Sequence, residues 1–208
     1  MPLLKKQEAP LWGIWEIKES AEELLSSLKQ TKWYDPFLQK IKMERRRQEW
    51  LAVRVLLKHL LGCEACIDYK ESGMPYLPDC PDLHISISHT KGYAAILLSD
   101  LPFPGIDIEY IGPRIKKVTS RFMSEQELQQ VDKSCELESF LLYWSAKETV
   151  FKALQQSDVD FCKHIHIRPF IPTDFGWFYA IETSTPFQRR YRINYEINNN
   201  FVVTYTTG

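Results

Sequence analysis

No stretch of this 208-residue sequence approaches the roughly 18 consecutive apolar residues that a membrane-spanning helix needs. The opening "MPLLKKQEAP" also lacks the continuous apolar core of a secretory signal, so a cytoplasmic protein without membrane contact is expected. Net charge is missing too. Lys and Arg number 26 against 27 Asp and Glu, and a balance of -1 gives no global attraction to nucleic acid or anionic lipid. Any charged partner must be met by a local patch. The five cysteines are odd in number and irregularly spaced, which fits reduced thiols better than a disulfide framework. Cys63 and Cys66 form a C-x-x-C, but no second pair follows to complete a zinc site. There is no residue-level internal repeat and no low-complexity segment. What is present is 44% hydrophobic and 13% aromatic residues, ample for the core of one sizeable domain or two small ones.

Along the chain, "LWGIWEI" reads as a strand, and "SAEELLSSLK" as a helix with Ser20 and Glu23 in capping-box spacing. From Gln39 to Leu61, Trp50, Val53, Leu56, Leu57, Leu60 and Leu61 recur at three and four, predicting a long helix that Gly62 ends. Short strands follow at "IDY", "HISIS" and "YAAILLS". "LPFPG", with two prolines and a glycine in five residues, marks a boundary, dividing the chain into residues 1–102 and 103–208. The second half repeats the flavour of the first. It has a strand at "IDIEYI", short helices near "RIKKVTSRF" and "SEQELQQV", a long helix from Leu137 to Gln155, and strands at "WFYAIET", "RRYRINYEI" and "FVVTYT". The expected class is α+β.

Several charged residues stand where an apolar pattern leads one to expect none. In "GIDIE" (Gly105 to Glu109), strand alternation sends Ile106 and Ile108 to one face and Asp107 and Glu109 together to the other. Two like charges facing one space need water or a cation, and a hard divalent ion takes carboxylate oxygens readily. An edge strand with a wet acidic face is the other reading. On the helix "YWSAKETVFKAL", Glu148 sits inside a stripe of Leu137, Leu141, Trp144 and Phe151. It either pairs with Lys152 one turn on, or reaches the cleft of Asp107 and Glu109 while Lys147 and Lys152 face phosphate oxygens. In "HISISHTKG", Ser86 and Ser88 share the face opposite Ile85 and Ile87, and His89 ends the strand. That suits an anionic ligand or an ordinary turn cap, and no Ser-His-Asp arrangement accompanies it. On the first long helix, Arg47 and Arg54 share a face with Trp50 between them, while Arg45 and Arg46 point elsewhere. Guanidinium groups so placed suit a terminal phosphate or a solvated face.

Together "GMPYL" (Gly73 to Leu77), "SISHT" (Ser86 to Thr90), "GIDIE", "RFMSEQE" (Arg121 to Glu127) and "WSAKETVFK" (Trp144 to Lys152) resemble, in order and across most of the chain, one known family. It is the 4'-phosphopantetheinyl transferase superfamily, in its longer, monomeric surfactin-synthetase-activator (Sfp) type. The two acidic motifs are the specific ones. The resemblance implies a pseudo-dimer of two similar α/β halves with the active site between them. Residues 1–102 would supply coenzyme A contacts, and residues 103–208 the metal carboxylates and the carrier docking surface. It implies transfer of the 4'-phosphopantetheine arm of coenzyme A to a serine of an acyl or peptidyl carrier protein, releasing adenosine 3',5'-bisphosphate. Asp107, Glu109 and Glu148 would hold Mg2+, or Mn2+ in its place. Ser88 and His89 would contact coenzyme A phosphates, with Arg47, then Arg54 or Arg45, holding the 3'-phosphate. Lys147 and Lys152 would serve the phosphates and the transfer step, and Glu148 would be the general base.

One position departs from the family pattern: many relatives carry a lysine in a "G-K-P" stretch, where this sequence has Met74. One phosphate contact would then be either missing or supplied by Lys91 or an arginine. Lys116, Lys117 and Arg121, beside Phe122 and Met123, would make a basic and apolar surface for an acidic carrier helix, or else a solvated helix packing Phe122 into the core. Two other functions share these residues: a non-catalytic relative that binds coenzyme A or a carrier, and a Mg2+-dependent phosphodiesterase. Nothing in the sequence distinguishes fatty-acid, polyketide and peptide carriers.

Overall fold

Alternating residues in "LLKKQE" and the apolar "LWGIWE" pair as an antiparallel hairpin, β1 (Leu3–Glu8) and β2 (Leu11–Glu16). This opens the first of two units, Met1–Asp100 and Leu101–Gly208, into which the computed structural model divides the chain; residues 2–208 are described. Three helices follow: α1 (Ala21–Ser26), α2 (Thr31–Leu38) and α3 (Glu44–Leu61). Ser20 and Glu23 form the expected capping box. Gly62 ends α3 in the left-handed region at φ 76, a conformation that costs a glycine little. Gln39 lies outside α3, which starts at Glu44, because the apolar period begins only at Trp50 and nothing upstream fixed the start. A short hairpin of β3 (Asp68–Tyr69) and β4 (Pro75–Tyr76) leads to β5 (His84–Thr90) and β6 (Tyr93–Ser99). The main sheet has the order β1-β2-β6-β5, antiparallel throughout. One core unites Trp15, Ile85 and Ile96 of the sheet with Leu51, Leu56 and Leu57 of α3.

The second unit begins with β7 (Gly105–Tyr110), passes through 3-10 turns and α4 (Glu125–Gln129), and reaches α5 (Glu136–Leu154). Then come α6 (Phe161–His164), β8 (Ile165–Ile167), β9 (Phe175–Glu182), β10 (Arg190–Ile197) and β11 (Phe201–Thr206). The sheet order is β7-β11-β10-β9-β8, again antiparallel. Leu142, Ala146 and Val150 of α5 pack on Phe178, Ile193 and Val202 of the sheet. The α+β expectation holds. β1, α2, β4, α6 and β8 are additions to the sequence reading. β1 is a half-polar edge, α2 carries an internal Pro36, and β8 has only three residues, so each signal was weak. All five cysteines are free thiols, and among the described residues no helix is long and apolar enough to cross a membrane.

Candidate active site on β7 and α5

Strand β7 meets β11 with Asp107 opposite Thr204 and Glu109 opposite Val202, so these four side chains share one face of the sheet. Helix α5 lies on that face. Gly105 sets how close it comes, since a Cβ there would stand 2.2 Å from the Thr149 carbonyl oxygen. Buried hydroxyls then lock the helix in place. Ser145 Oγ lies 2.9 Å from Thr204 Oγ1 and donates to the Asp107 carbonyl at 3.4 Å. Thr149 Oγ1 donates to the Thr204 carbonyl at 3.1 Å.

The close seat brings α5 side chains onto the acidic strand. Lys152 Nζ donates to Asp107 Oδ1 at 2.9 Å and to the Ile106 carbonyl at 2.8 Å. The intrahelical alternative is corrected: the ion pair of Lys152 is with Asp107, 45 positions away, rather than with Glu148 one turn earlier. Trp144 Nε1 donates to Glu109 Oε1 at 2.6 Å. Glu148 stands one turn after Trp144 on the same side of α5.

Burial and mutual repulsion both act on the acids of this face. Burial first, then the Asp107 charge, pushes the Glu148 carboxyl up to about 7, and Lys152 opposes the shift. Glu109 is pushed up to about 7 by burial, then Asp107, with Glu148 adding to it. Asp107 itself is only 4% exposed. The donor chemistry fits a hard divalent cation: three carboxyls that repel one another, with one lysine among them. Their present rotamers are not gathered as ligands, because among the described residues no group of three or more His, Cys, Asp or Glu is poised to hold an ion. Lys152 and Trp144 each engage a carboxylate oxygen that such an ion would use.

Lys147 does not join this set. Its side chain is fully buried on another side of α5, with Nζ 2.8 Å from Glu127 Oε2 and 2.9 Å from the Phe161 carbonyl. The expectation that it faces phosphates is corrected on that ground: a residue adjacent to Glu148 is turned about 100° from it around the helix. Glu127 is the hub the sequence reading missed. It caps α4 through Ser124, accepts from the Ile167 amide at 2.9 Å and holds Lys147. The capping-box spacing was its visible signal; the pair with Lys147 was not. Phe122 and Met123 are buried in the core, and Lys116 pairs with Glu136 at 2.6 Å, so the proposed docking surface loses its apolar part.

In the first unit, Ser88 is buried on β5, and His89 Nδ1 lies 3.8 Å from Glu49 Oε2. Arg45 and Arg46, read as pointing elsewhere, both hold Glu49, at 2.9 and 3.2 Å. Arg54 is 4% exposed, its guanidinium stacked 3.5 Å over the Trp50 ring and donating to the Trp50 carbonyl at 3.1 Å. Arg47 donates to the Leu38 carbonyl at 3.2 Å, while its buried Nε finds no partner among the described residues.

The segment that carries the acidic strand and α5, residues 104–206, matches the family model of the 4'-phosphopantetheinyl transferase superfamily, and the chain belongs to that superfamily. Among curated proteins it is similar to the 4'-phosphopantetheinyl transferase AcpT of Escherichia coli, 36% identical over 113 residues. That alignment covers 51% of this chain and 57% of the relative. It is also similar to the 4'-phosphopantetheinyl transferase Sfp of Bacillus subtilis, 35% identical over 86 residues, which is 40% of this chain and 38% of that protein. The chain thus spans about half the length of these relatives, or less.

Proposed function

We propose that this protein moves the 4'-phosphopantetheine arm of coenzyme A onto a serine hydroxyl of an acyl or peptidyl carrier protein, leaving adenosine 3',5'-bisphosphate. The observation that supports it most is the meeting of Lys152 and the electrostatically coupled Glu148 with Asp107 and Glu109, within the segment that the family match covers. In this reading Asp107, Glu109 and Glu148 hold a divalent cation, Mg2+ or Mn2+. When bound, the cation offsets the negative charge that builds on the phosphoryl oxygens.

The chain's own groups do the rest. Lys152 pairs with Asp107 and brings its positive charge beside the diphosphate. Glu148 takes the serine proton, directly or through water, as the serine oxygen attacks the phosphorus that bears pantetheine. The bond from that phosphorus to the nucleotide-side oxygen breaks, and the nucleotide leaves with the oxygen. Ser88, His89, Arg47 and Arg54 receive the coenzyme A phosphates; Trp50 holds the Arg54 guanidinium flat for that purpose. Lys147 has no part in the step. It secures α5 from the other side.

The test is to incubate the protein with coenzyme A, Mg2+ and an apo carrier protein, then weigh the carrier. A gain of about 340 Da is the expected transfer. An unchanged carrier with coenzyme A bound to the protein would replace this reading with a binding function, and free phosphopantetheine would replace it with hydrolysis.

A further inference from the structure

We propose that the outward face of β8, β9 and β10 docks an acidic polypeptide segment carrying one apolar anchor residue. This face is the reverse of the one that α5 covers: Phe178, Ala180, Tyr191 and Ile193 point into the core, so their neighbours on each strand point away from it. The outward residues are unusual for a solvated sheet. Phe175 is 75% exposed and Trp177 50%, and Phe187, in the turn between β9 and β10, is 76% exposed. Arg192 lies 4.7 Å over the Trp177 ring and Arg190 3.6 Å over Tyr179, making a ladder of rings and guanidiniums diagonal to the strand register. Among the described residues no carboxylate lies within ion-pairing distance of Arg168, Arg190 or Arg192.

The ladder decides between anionic partners. A guanidinium occupies one face of Tyr179 and another lies over Trp177, which reduces the stacking platform that a single-stranded nucleic acid uses. The same stacking holds each guanidinium in place with its hydrogen-bonding edge open, the geometry that grips carboxylates in pairs. Arginine and large aromatics side by side are also the residues that carry most of the binding energy where proteins meet. At the end of the ladder a cavity of about 300 Å³, lined by Pro102, Phe103, Arg190 and Tyr191, has room for an apolar side chain beside the guanidinium of Arg190. Carboxylates on the ladder and one apolar residue in the cavity describe the partner.

The proposal does not depend on the transfer reaction. Its probe is a helical peptide built from Glu and Leu, titrated into the 15N-labelled chain and followed by amide shifts. Shifts should concentrate on β9 and β10. Affinity should fall about tenfold or more when Gln replaces Glu in the peptide, and again in the Arg190→Glu/Arg192→Glu double variant with its melting temperature kept. Absence of binding, binding that survives the double variant, or tighter binding of a single-stranded oligothymidylate would each overturn it. So would a dimer that the double variant dissolves, since the face would then belong to a second copy. Peptide binding by a protein that fails the carrier assay would refute the transfer reading alone.

Discussion

The two long helices are nearly equal in length, 18 residues for α3 and 19 for α5, and both bury charged side chains. They satisfy those charges in opposite ways. On α3 the buried Glu49 is held by Arg45 and Arg46, four and three residues earlier on the same helix. On α5 Lys147 and Lys152 reach Glu127 and Asp107, 20 and 45 positions away. Local pairs support a helix wherever it lies, whereas long-range pairs fix where it lies. Buried long-range pairs add little net stability, because desolvation cancels much of the attraction. What α5 gains is position, and with it the burial first, and the Asp107 charge second, that leave Glu109 and Glu148 raised to about 7. A charge left in an unfavourable state is the mark of a working site; a charge satisfied within one turn marks scaffold.

The contrast breaks most easily at Glu148. Glu148→Gln should lower carrier modification about a thousandfold while the fold persists. Near-normal turnover with Mg2+ present would remove Glu148 as the proton acceptor. The two lysines of α5 separate scaffold from chemistry. Lys147→Met leaves Glu127 buried and unpaired, and should destabilise by about 3–5 kcal/mol in denaturant melts, with turnover per folded molecule retained. Adding Glu127→Gln should recover part of that loss. Lys152→Met should show the reverse balance: a smaller loss of stability, since its side chain is 25% exposed, and a large loss of turnover.

Gly105→Ala probes the seat of α5 itself. The new methyl must push the Thr149 carbonyl away, at a cost of about 3 kcal/mol, and should reduce turnover by separating Glu148 from Asp107. The raised carboxyls add a pH signature. A carboxyl that titrates near 7 in the folded chain and near 4.5 when unfolded keeps its proton longer when folded, so stability falls as pH rises between those values. Metal-free protein should therefore melt lower at pH 8 than at pH 5.5 as far as these two groups decide it. Mg2+ should raise the pH 8 melting temperature, and Glu148→Gln should reduce both effects.

How much of this was legible in the sequence follows the same line. The α+β class, the α5 span and the strand carrying Asp107 and Glu109 came from periodicity, which is a property of short windows. Ser20 with Glu23 and Gly62 are caps, equally local, and stand where the spacing puts them. The sharing of a space by Asp107 and Glu148 could be inferred only from the resemblance, because no local rule links a strand to a helix so much later in the chain. Lys147 failed for the same reason. Its neighbour Glu148 was informative, but Lys147 lies on a different side of the helix, and its partner belongs to a motif that spacing presents as a simple cap. The basic–aromatic ladder of β9 and β10 was also invisible, since strand register decides which arginine meets which ring.

The smallest effect is the sharpest check on the contrast between helices. Arg45 is 62% exposed on its side chain, and Glu49 keeps Arg46 when Arg45 is removed. Arg45→Ala should therefore cost under about 1 kcal/mol, as exposed pairs on helices do. Removing both arginines is different: Glu49, 6% exposed on its side chain, would be left with the distant contact to His89, 3.8 Å away. The double variant should lose more than the two single variants together, because either arginine alone still neutralises the carboxylate. If Arg45→Ala alone cost as much as Lys147→Met, local pairing would not be redundant. The division into a self-sufficient α3 and an α5 pinned from outside would then have to be given up.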